Sequence, residues 1–373
     1  MKIKIQDAEL LRSICRLAAP KVRPNGELEE SGGLIYFEAE EDELSVIART
    51  GVYIYTLTTK RAEITEKGKC AVSAPTVYKT IARFDIPVDL WTQGAEMVVR
   101  DNAVTIKMPC ITTPTLPLPD MDSTGIKEII FAAGDFQAAV GDVLFAADDW
   151  LTTNKALSTV HCRIEGDFAY FEACNSTIGA RYEFPVNGLK EQDICFPKEL
   201  LQIVPPITDG AVKVIHNPKT IRIYITRDNG DVHRIQAQKY AVKPLMLDSL
   251  YNDKKRSEGT VSVSELKALC AKAIAITSAK DRGGMIMTVT DNNISCQYTT
   301  AMASISAELP CDIRCESTIS CYSPKLLSAV LKGILPDDIT FRLDNTTPMI
   351  LLGEYDDNGR IIKQGRIICP MRF

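Results

Sequence analysis

Histidine and cysteine are the residues of this chain best suited to nucleophilic or metal chemistry, with three of the first and twelve of the second. Catalysis needs such residues in constellations: a base within reach of the nucleophile, and a third group that orients the base. A Cys/His hydrolase can be written from Cys174 and His161, but nothing in the sequence orients them. His161 stands beside Cys162 in an alternating stretch, which suits a structural residue. His216 falls in the turn HNPKT, and His233 in a strand after DNGD. Cys311 and Cys315 are the closest cysteine pair, yet a zinc site there lacks two ligands. The acidic run EAEEDE at 38–43 reads as a hairpin turn rather than a metal site. No phosphate-cradling or dinucleotide glycine motif is present, and RGG at 282–284 is too short to count. These patterns argue against an enzyme, and no cofactor or metal is expected.

The cysteines run from Cys15 to Cys369 without any Cys-x-x-Cys pair. Cys15, Cys162, Cys270 and Cys296 sit inside apolar patterns, where a free thiol behaves as a small hydrophobe. In a chain of 373 residues this indicates free thiols and a reducing, cytoplasmic location. The opening Met1-Lys-Ile-Lys-Ile alternates as a strand does and has none of the marks of a signal peptide. No apolar run approaches the length that spans a bilayer, so no membrane partner is expected. With 45% apolar and 24% charged residues the composition is that of a globular protein of two or three domains.

The elements that position these residues come in three copies. A strand followed by a capped amphipathic helix occurs at MKIKIQDAELLRSICRLAAP, again at EIIFAAGDFQAAVGDVLFAADD, and again at GTVSVSELKALCAKAIAITSAKD. Each copy continues into two strands across a polar turn, then a shorter helix opened by proline, then another strand pair. The three prolines are Pro75, Pro197 and Pro324, spaced by 122 and 127 residues. The pattern predicts an α+β protein of three tandem domains, each with two helices packed on antiparallel sheets, over 1–124, 127–250 and 258–373. The polar stretches DMDSTGIK (120–127) and DSLYNDKKRSEG (248–259) serve as the boundaries.

The charge is unevenly distributed. The six helices, read as 8–18, 75–84, 136–147, 197–204, 265–276 and 324–333, carry nine basic and four acidic residues, in a chain of net charge −5. The basic residues are Arg12, Arg16, Lys79, Arg83, Lys198, Lys267, Lys272, Lys325 and Lys332; the acidic ones are Glu9, Asp142, Glu199 and Glu265. Arg12/Arg16 and Lys79/Arg83 are i,i+4 pairs on the face opposite the apolar stripe, a mildly destabilising arrangement that asks for a reason. The first helix of the second repeat is the exception, with Asp142 and no Lys or Arg. Basic side chains spread along helices suit sequence-independent contact with phosphates.

The threefold repeat, the basic helices, the acidic remainder and the terminal CPMRF together resemble the bacterial DNA polymerase III beta subunit, the sliding clamp, over nearly the whole chain. MKIKIQDAELL is similar to that family's first strand and helix, TPTLPLPDMD (113–122) to its Thr-Leu-Pro segment, KDRGG (280–284) to its Arg-Gly step, and DNTTPMIL (344–351) to a strand near its end. The resemblance implies a head-to-tail homodimer closed into a ring around double-stranded DNA, with helices lining the hole. It implies one peptide pocket per chain for the replicative polymerase, clamp loader and repair proteins. By position the pocket takes in Leu157, Cys174, Asn175, Gly179, Pro244, Leu247, Pro348, Ile367, Cys369, Pro370 and Met371. The loop APKVRP adds Arg23 to the helix cations as a candidate DNA contact. CNSTIG (174–179) stands where the family usually reads Thr-Asp-Gly-His-Arg-Leu, so its His and Arg are absent here. The alternative is a clamp-derived decoy or scaffold that binds clamp partners without encircling DNA. A ring needs open strand edges, expected at TIKMPCITTPT (105–115) and ESTISCYS (316–323).

Overall fold

The computed structural model describes residues 1–19, 33–49, 53–115, 124–149, 152–207, 209–252, 257–278, 283–313, 317–344 and 347–371. Seven α-helices occur among them: α1 (Ala8–Ala18), α2 (Ala74–Ile81), α3 (Ala133–Val143), α4 (Lys198–Gln202), α5 (Asp248–Tyr251), α6 (Val263–Ala275) and α7 (Pro324–Leu331). The remaining elements are two short 3-10 turns, Leu144–Ala146 and Lys155–Ser158, and antiparallel strands, and the fold is mixed α+β.

The chain packs as two compact units, one from residues 1–137 with 202–241, the other from 138–201 with 242–373. The first unit holds a thirteen-stranded sheet. Its strands show the period-2 burial of a sheet with one packed face, as in Leu34–Ala39 and Thr220–Thr226. The sheet is continuous because Val232–Gln238, from the second sequence repeat, pairs with Tyr53–Thr59 from the first. The second unit holds a nine-stranded and a four-stranded sheet. Here Ile178–Pro185 of the second repeat pairs with the last strand, Arg360–Ile368, in the register Gly179↔Ile367. Ladder hydrogen bonds thus cross both repeat boundaries, and the compact units do not coincide with the sequence repeats.

The helices follow local rules with small shifts. Asp7 caps α1, its carboxylate accepting from the amides of Glu9 at 2.8 Å and Leu10 at 3.2 Å. Leu10, Leu11, Ile14 and Leu17 are buried, while Arg12 and Arg16 are exposed. α3 and α6 start three and two residues before the expected 136 and 265, at Ala133 and Val263, and Ser262 stands at the N-cap of α6. α4 is only five residues long, and Pro197 ends the preceding strand instead of opening the helix. The expected boundary at 248–259 is in part a packed element. Asp248–Tyr251 forms the turn α5, and Tyr251 is buried. EAEEDE is the turn of a hairpin, with the Glu40 amide donating to the Glu43 carbonyl at 2.9 Å.

Candidate functional site

The residues singled out as a peptide pocket come from five segments of the second unit. Leu247, Tyr251, Ile350 and Ile367 form a buried apolar cluster, with Cys174, Leu250 and Leu352 packed against it from its margin. Gly179 supplies the floor: a Cβ there would stand 3.3 Å from Ile367 Cδ1 and 3.4 Å from Cys174 Cβ, so the missing side chain is what lets Cys174 and Ile367 meet across the strand between them. The Cys369 amide donates to the Thr177 carbonyl at 2.8 Å, which brings the tail beside the same segment. The Met371 amide donates to Cys321 O at 2.7 Å. Gly284, the last residue of KDRGG, makes room for that seam, since a Cβ there would lie 2.2 Å from Cys321 Sγ and 3.0 Å from Met371 Sδ. Cys369, Pro370 and Met371 are half-buried.

Not all predicted pocket residues join the cluster. Asn175 is used inside its own loop, its side-chain oxygen accepting from the amides of Thr177 and Ile178 at 2.8 and 2.9 Å. It shapes CNSTIG into an Asx turn. Leu157, Pro244 and Pro348 are half-buried and lie outside the cluster. Leu250, Tyr251, Ile350 and Leu352 were missed by sequence reasoning. A signal for two of them was available: Leu247, Leu250 and Tyr251 stand at i, i+3 and i+4, a helical spacing hidden by the polar company of a presumed linker.

The same geometry disposes of the hydrolase. Burial pushes the Cys174 thiol up to about 11, the wrong direction for a nucleophile. His161 lies directly across the ladder from Glu172, and its Nε2 is 2.8 Å from Asp193 Oδ1, so the ring is engaged with carboxylates. Burial first, then nearby cations, lower the pKa of His216 and His233 to about 4, which leaves both neutral. His216 ends a strand rather than lying in a turn. The eleven described cysteines are free thiols, and no cluster able to hold a metal occurs among the described residues.

The candidate DNA contacts divide. Arg12, Arg16, Lys79, Arg83, Lys272, Lys325 and Lys332 are exposed, and none has an ion-pair partner among the described residues. α1 packs on α2 and α6 on α7, so each unit holds one helix pair bearing such cations. Lys198 and Lys267 depart from the expectation. The Lys198 ammonium donates to Ala147 O at 2.6 Å and to Asp149 at 3.1 Å, and Lys267 donates to Ile334 O at 3.2 Å. Both are spent on their own unit. Arg23 lies outside the described residues.

Two of the acidic helix residues are neutralised. Glu9 accepts from Arg227 at 2.8 Å. Asp142, the apparent exception to the basic pattern, has its side chain turned inward and 5% exposed: its Oδ1 accepts from Arg366 Nη2 and Gln364 Nε2, both at 2.6 Å. Arg366 is fully buried and also donates to the carbonyls of Val330 and Gly365, each at 3.0 Å. Two of the four acidic helix residues are thus paired, as two of the nine basic ones are tied to their own unit, so the positive balance of the helices is kept.

Open strand edges are present in both units. Thr105–Ile111 pairs along its length with Glu96–Arg100, but on its other side only through Cys110 and Ile111. Thr318–Tyr322 and Ser304–Pro310 are the two outer strands of the four-stranded sheet. No described helix is long and apolar enough to cross a membrane.

No protein-family model matches the chain, and no curated protein matches it. Solved structures do. The DNA polymerase III beta subunit of Thermotoga maritima is similar over 100% of this chain and 99% of its own, with a TM-score of 0.83 at 15% identity. A sliding clamp from Pseudomonas aeruginosa, bound to griselimycin, is similar over 100% of both chains, with a TM-score of 0.82 at 14% identity. The Caulobacter crescentus clamp gives 0.82 at 16%, again over 100% of both chains. The fold is that of the DNA polymerase III beta sliding clamps, reached by a strongly divergent sequence.

Proposed function

We propose that this chain is a DNA sliding clamp: a processivity factor, without catalysis of its own, that encircles duplex DNA as a head-to-tail homodimer and tethers a replicative polymerase, a clamp loader and repair proteins. The observation that carries the reading is the set of exposed cations on and next to α1, α2, α6 and α7, without ion-pair partners among the described residues, in a chain of net charge −5. A ring is held on duplex by topology, so its contacts with phosphates can be weak, non-specific and salt-sensitive, and it can slide. The three repeats are read as the three clamp domains, 1–124, 127–250 and 258–373. The open edge at Thr105–Ile111 in one protomer would add to an outer strand of the four-stranded sheet in the other, which closes the ring and removes both exposed edges. The cluster of Leu247, Ile367 and Cys174, with the Cys369–Met371 tail, is the docking pocket for apolar anchors of partner peptides. Thiol and thioether groups suit such a groove because they are soft and polarizable.

The test is retention after loading. The protein should stay on circular duplex and run off linear duplex; equal retention on both would argue against a sliding clamp. The decoy reading predicts something different in solution. A stable monomer at micromolar concentration would sink the ring and favour a scaffold that only binds clamp partners.

A further inference from the structure

The turn α5 contributes three of the seven residues of the apolar cluster, counting Leu247 at its N-cap. A single helical turn has no stability of its own in water. The segment before it, residues 239–247, belongs to no helix or strand, and Met246 beside Leu247 is 52% exposed. Something else must fix this wall of the pocket. Arginines at both ends of the turn do so. At the start, Asp248 Oδ1 accepts from Arg181 Nη2 at 2.7 Å and from Arg163 Nη2 at 3.0 Å. At the end, Arg342 Nη1 donates to the Tyr251 carbonyl at 2.8 Å. The Arg181 guanidinium also lies 4.3 Å from the centre of the Tyr251 ring, and its Nε donates to the buried Glu172 at 2.7 Å. Burial raises the Asp248 carboxyl and the two guanidiniums more than offset it, so its pKa lies below 3.8.

We propose that Asp248 is a positioning residue for the pocket: held by Arg163 and Arg181, it keeps Leu247, Leu250 and Tyr251 against Cys174, Ile350 and Ile367, and so sets the affinity for a docked peptide. This rests on the reading of that cluster as the partner pocket. The arrangement also shows why the role is separable from folding. Without the Asp248 charge, Arg181 keeps Glu172 and Arg163 keeps Glu165. Neither cation is stranded, so the loss is confined to the turn.

The test uses the full chain as wild type and Asp248→Asn, with two readouts. The first is the rate at which iodoacetamide labels Cys174, read by mass spectrometry, with the half-buried Cys110 of the other unit as control. The second is the affinity for griselimycin, the ligand bound in one of the similar clamps. The variant should label Cys174 about tenfold faster and bind griselimycin about tenfold more weakly, the scale of one charge-assisted hydrogen bond. Cys110 labelling should match wild type, and the melting temperature should fall by no more than about 3–6 °C, the shift that a tenfold change implies for a unit of this size. An unchanged Cys174 rate overturns the proposal, and so does a rise at Cys174 matched at Cys110, which would mean general destabilisation. If wild type itself does not bind griselimycin, the pocket reading fails at that ligand, and the labelling arm alone decides the role of Asp248.

Discussion

The Asp142–Arg366 pair gives the sharpest quantitative test of the second unit. Arg366 cannot lose its proton inside a protein, so replacing Asp142 by Ala leaves a fully buried guanidinium with no carboxylate and only backbone carbonyls, those of Val330 and Gly365 at 3.0 Å and of Arg181 at 3.5 Å. Gln364 loses its 2.6 Å acceptor as well, though it keeps the Gly333 carbonyl and the Leu335 amide. Breaking a buried pair from one side costs about 3–5 kcal/mol. At about 2–4 °C per kcal/mol for a unit of this size, Asp142→Ala should melt roughly 6–20 °C below wild type in scanning calorimetry. The double variant Asp142→Leu/Arg366→Met removes both charges and should recover most of that loss, because two desolvated ions are exchanged for apolar contacts. A single variant costing under about 1 kcal/mol, or a double variant no more stable than the single, would refute the reasoning.

The pair also has a signed pH dependence. Burial outweighs Arg366 and Gln364 and leaves the Asp142 carboxyl above its ordinary value of 3.8. The folded chain therefore holds that proton to higher pH than the unfolded chain does. The stability tied to this group is complete below 3.8 and is lost as pH rises through the folded value. Asp142→Asn deletes that falling component. Above pH 3.8, until the folded carboxyl has ionised, its urea midpoints should climb more steeply with pH than those of wild type, and parallel profiles would contradict the assignment.

Three further outcomes are expected. The Tyr251 hydroxyl is buried without a hydrogen-bond partner among the described residues, so Tyr251→Phe should leave stability unchanged or raise it by about 1 kcal/mol in urea unfolding, whereas a loss of about 2 kcal/mol would reveal a bond to it. Gly179→Val fills the floor between Ile367 and Cys174; it should weaken griselimycin binding at least about tenfold in calorimetry at a stability cost of about 1–3 kcal/mol, and wild-type affinity would remove Gly179 from the pocket. Lys79→Gln with Arg83→Gln should lower the slope of log affinity for duplex against log salt by up to about 1.8, as two phosphate contacts would, and an unchanged slope would show that these cations do not face DNA.

The sequence was legible where one physical rule acted alone. α1 could be read from its cap and apolar stripe, because Asp7 and Leu10, Leu11, Ile14 and Leu17 act within one short segment. The repeating order of strands and helices was visible for the same reason. Long-range pairing was not. Nothing in Arg366 itself marks it as a buried partner of Asp142, 224 positions away, since arginine is ordinarily a surface residue. The same blindness explains Lys198 and Lys267, which look like free cations in a helix tally and are tied to carbonyls by the fold. In the pocket, the tail and CNSTIG were marked through the family resemblance, while Tyr251 and Leu250 were masked by the charged residues that follow them.

These long-range pairings change what the charge pattern means. The helix tally alone counts Asp142 against a phosphate-facing surface. In the structure its carboxylate is turned inward, where it neutralises an arginine of the last strand, and that strand runs on to Cys369, Pro370 and Met371. One buried pair thus keeps a negative charge off an otherwise basic set of helices and anchors the strand that carries the pocket's tail. Replacing both members with apolar residues should preserve the fold and both surfaces, because neither charge reaches solvent. Replacing Asp142 alone should loosen the strand. Peptide affinity should then fall in Asp142→Ala and return in the double variant, and a double variant that regains its melting temperature without regaining affinity would separate the anchor from the pocket.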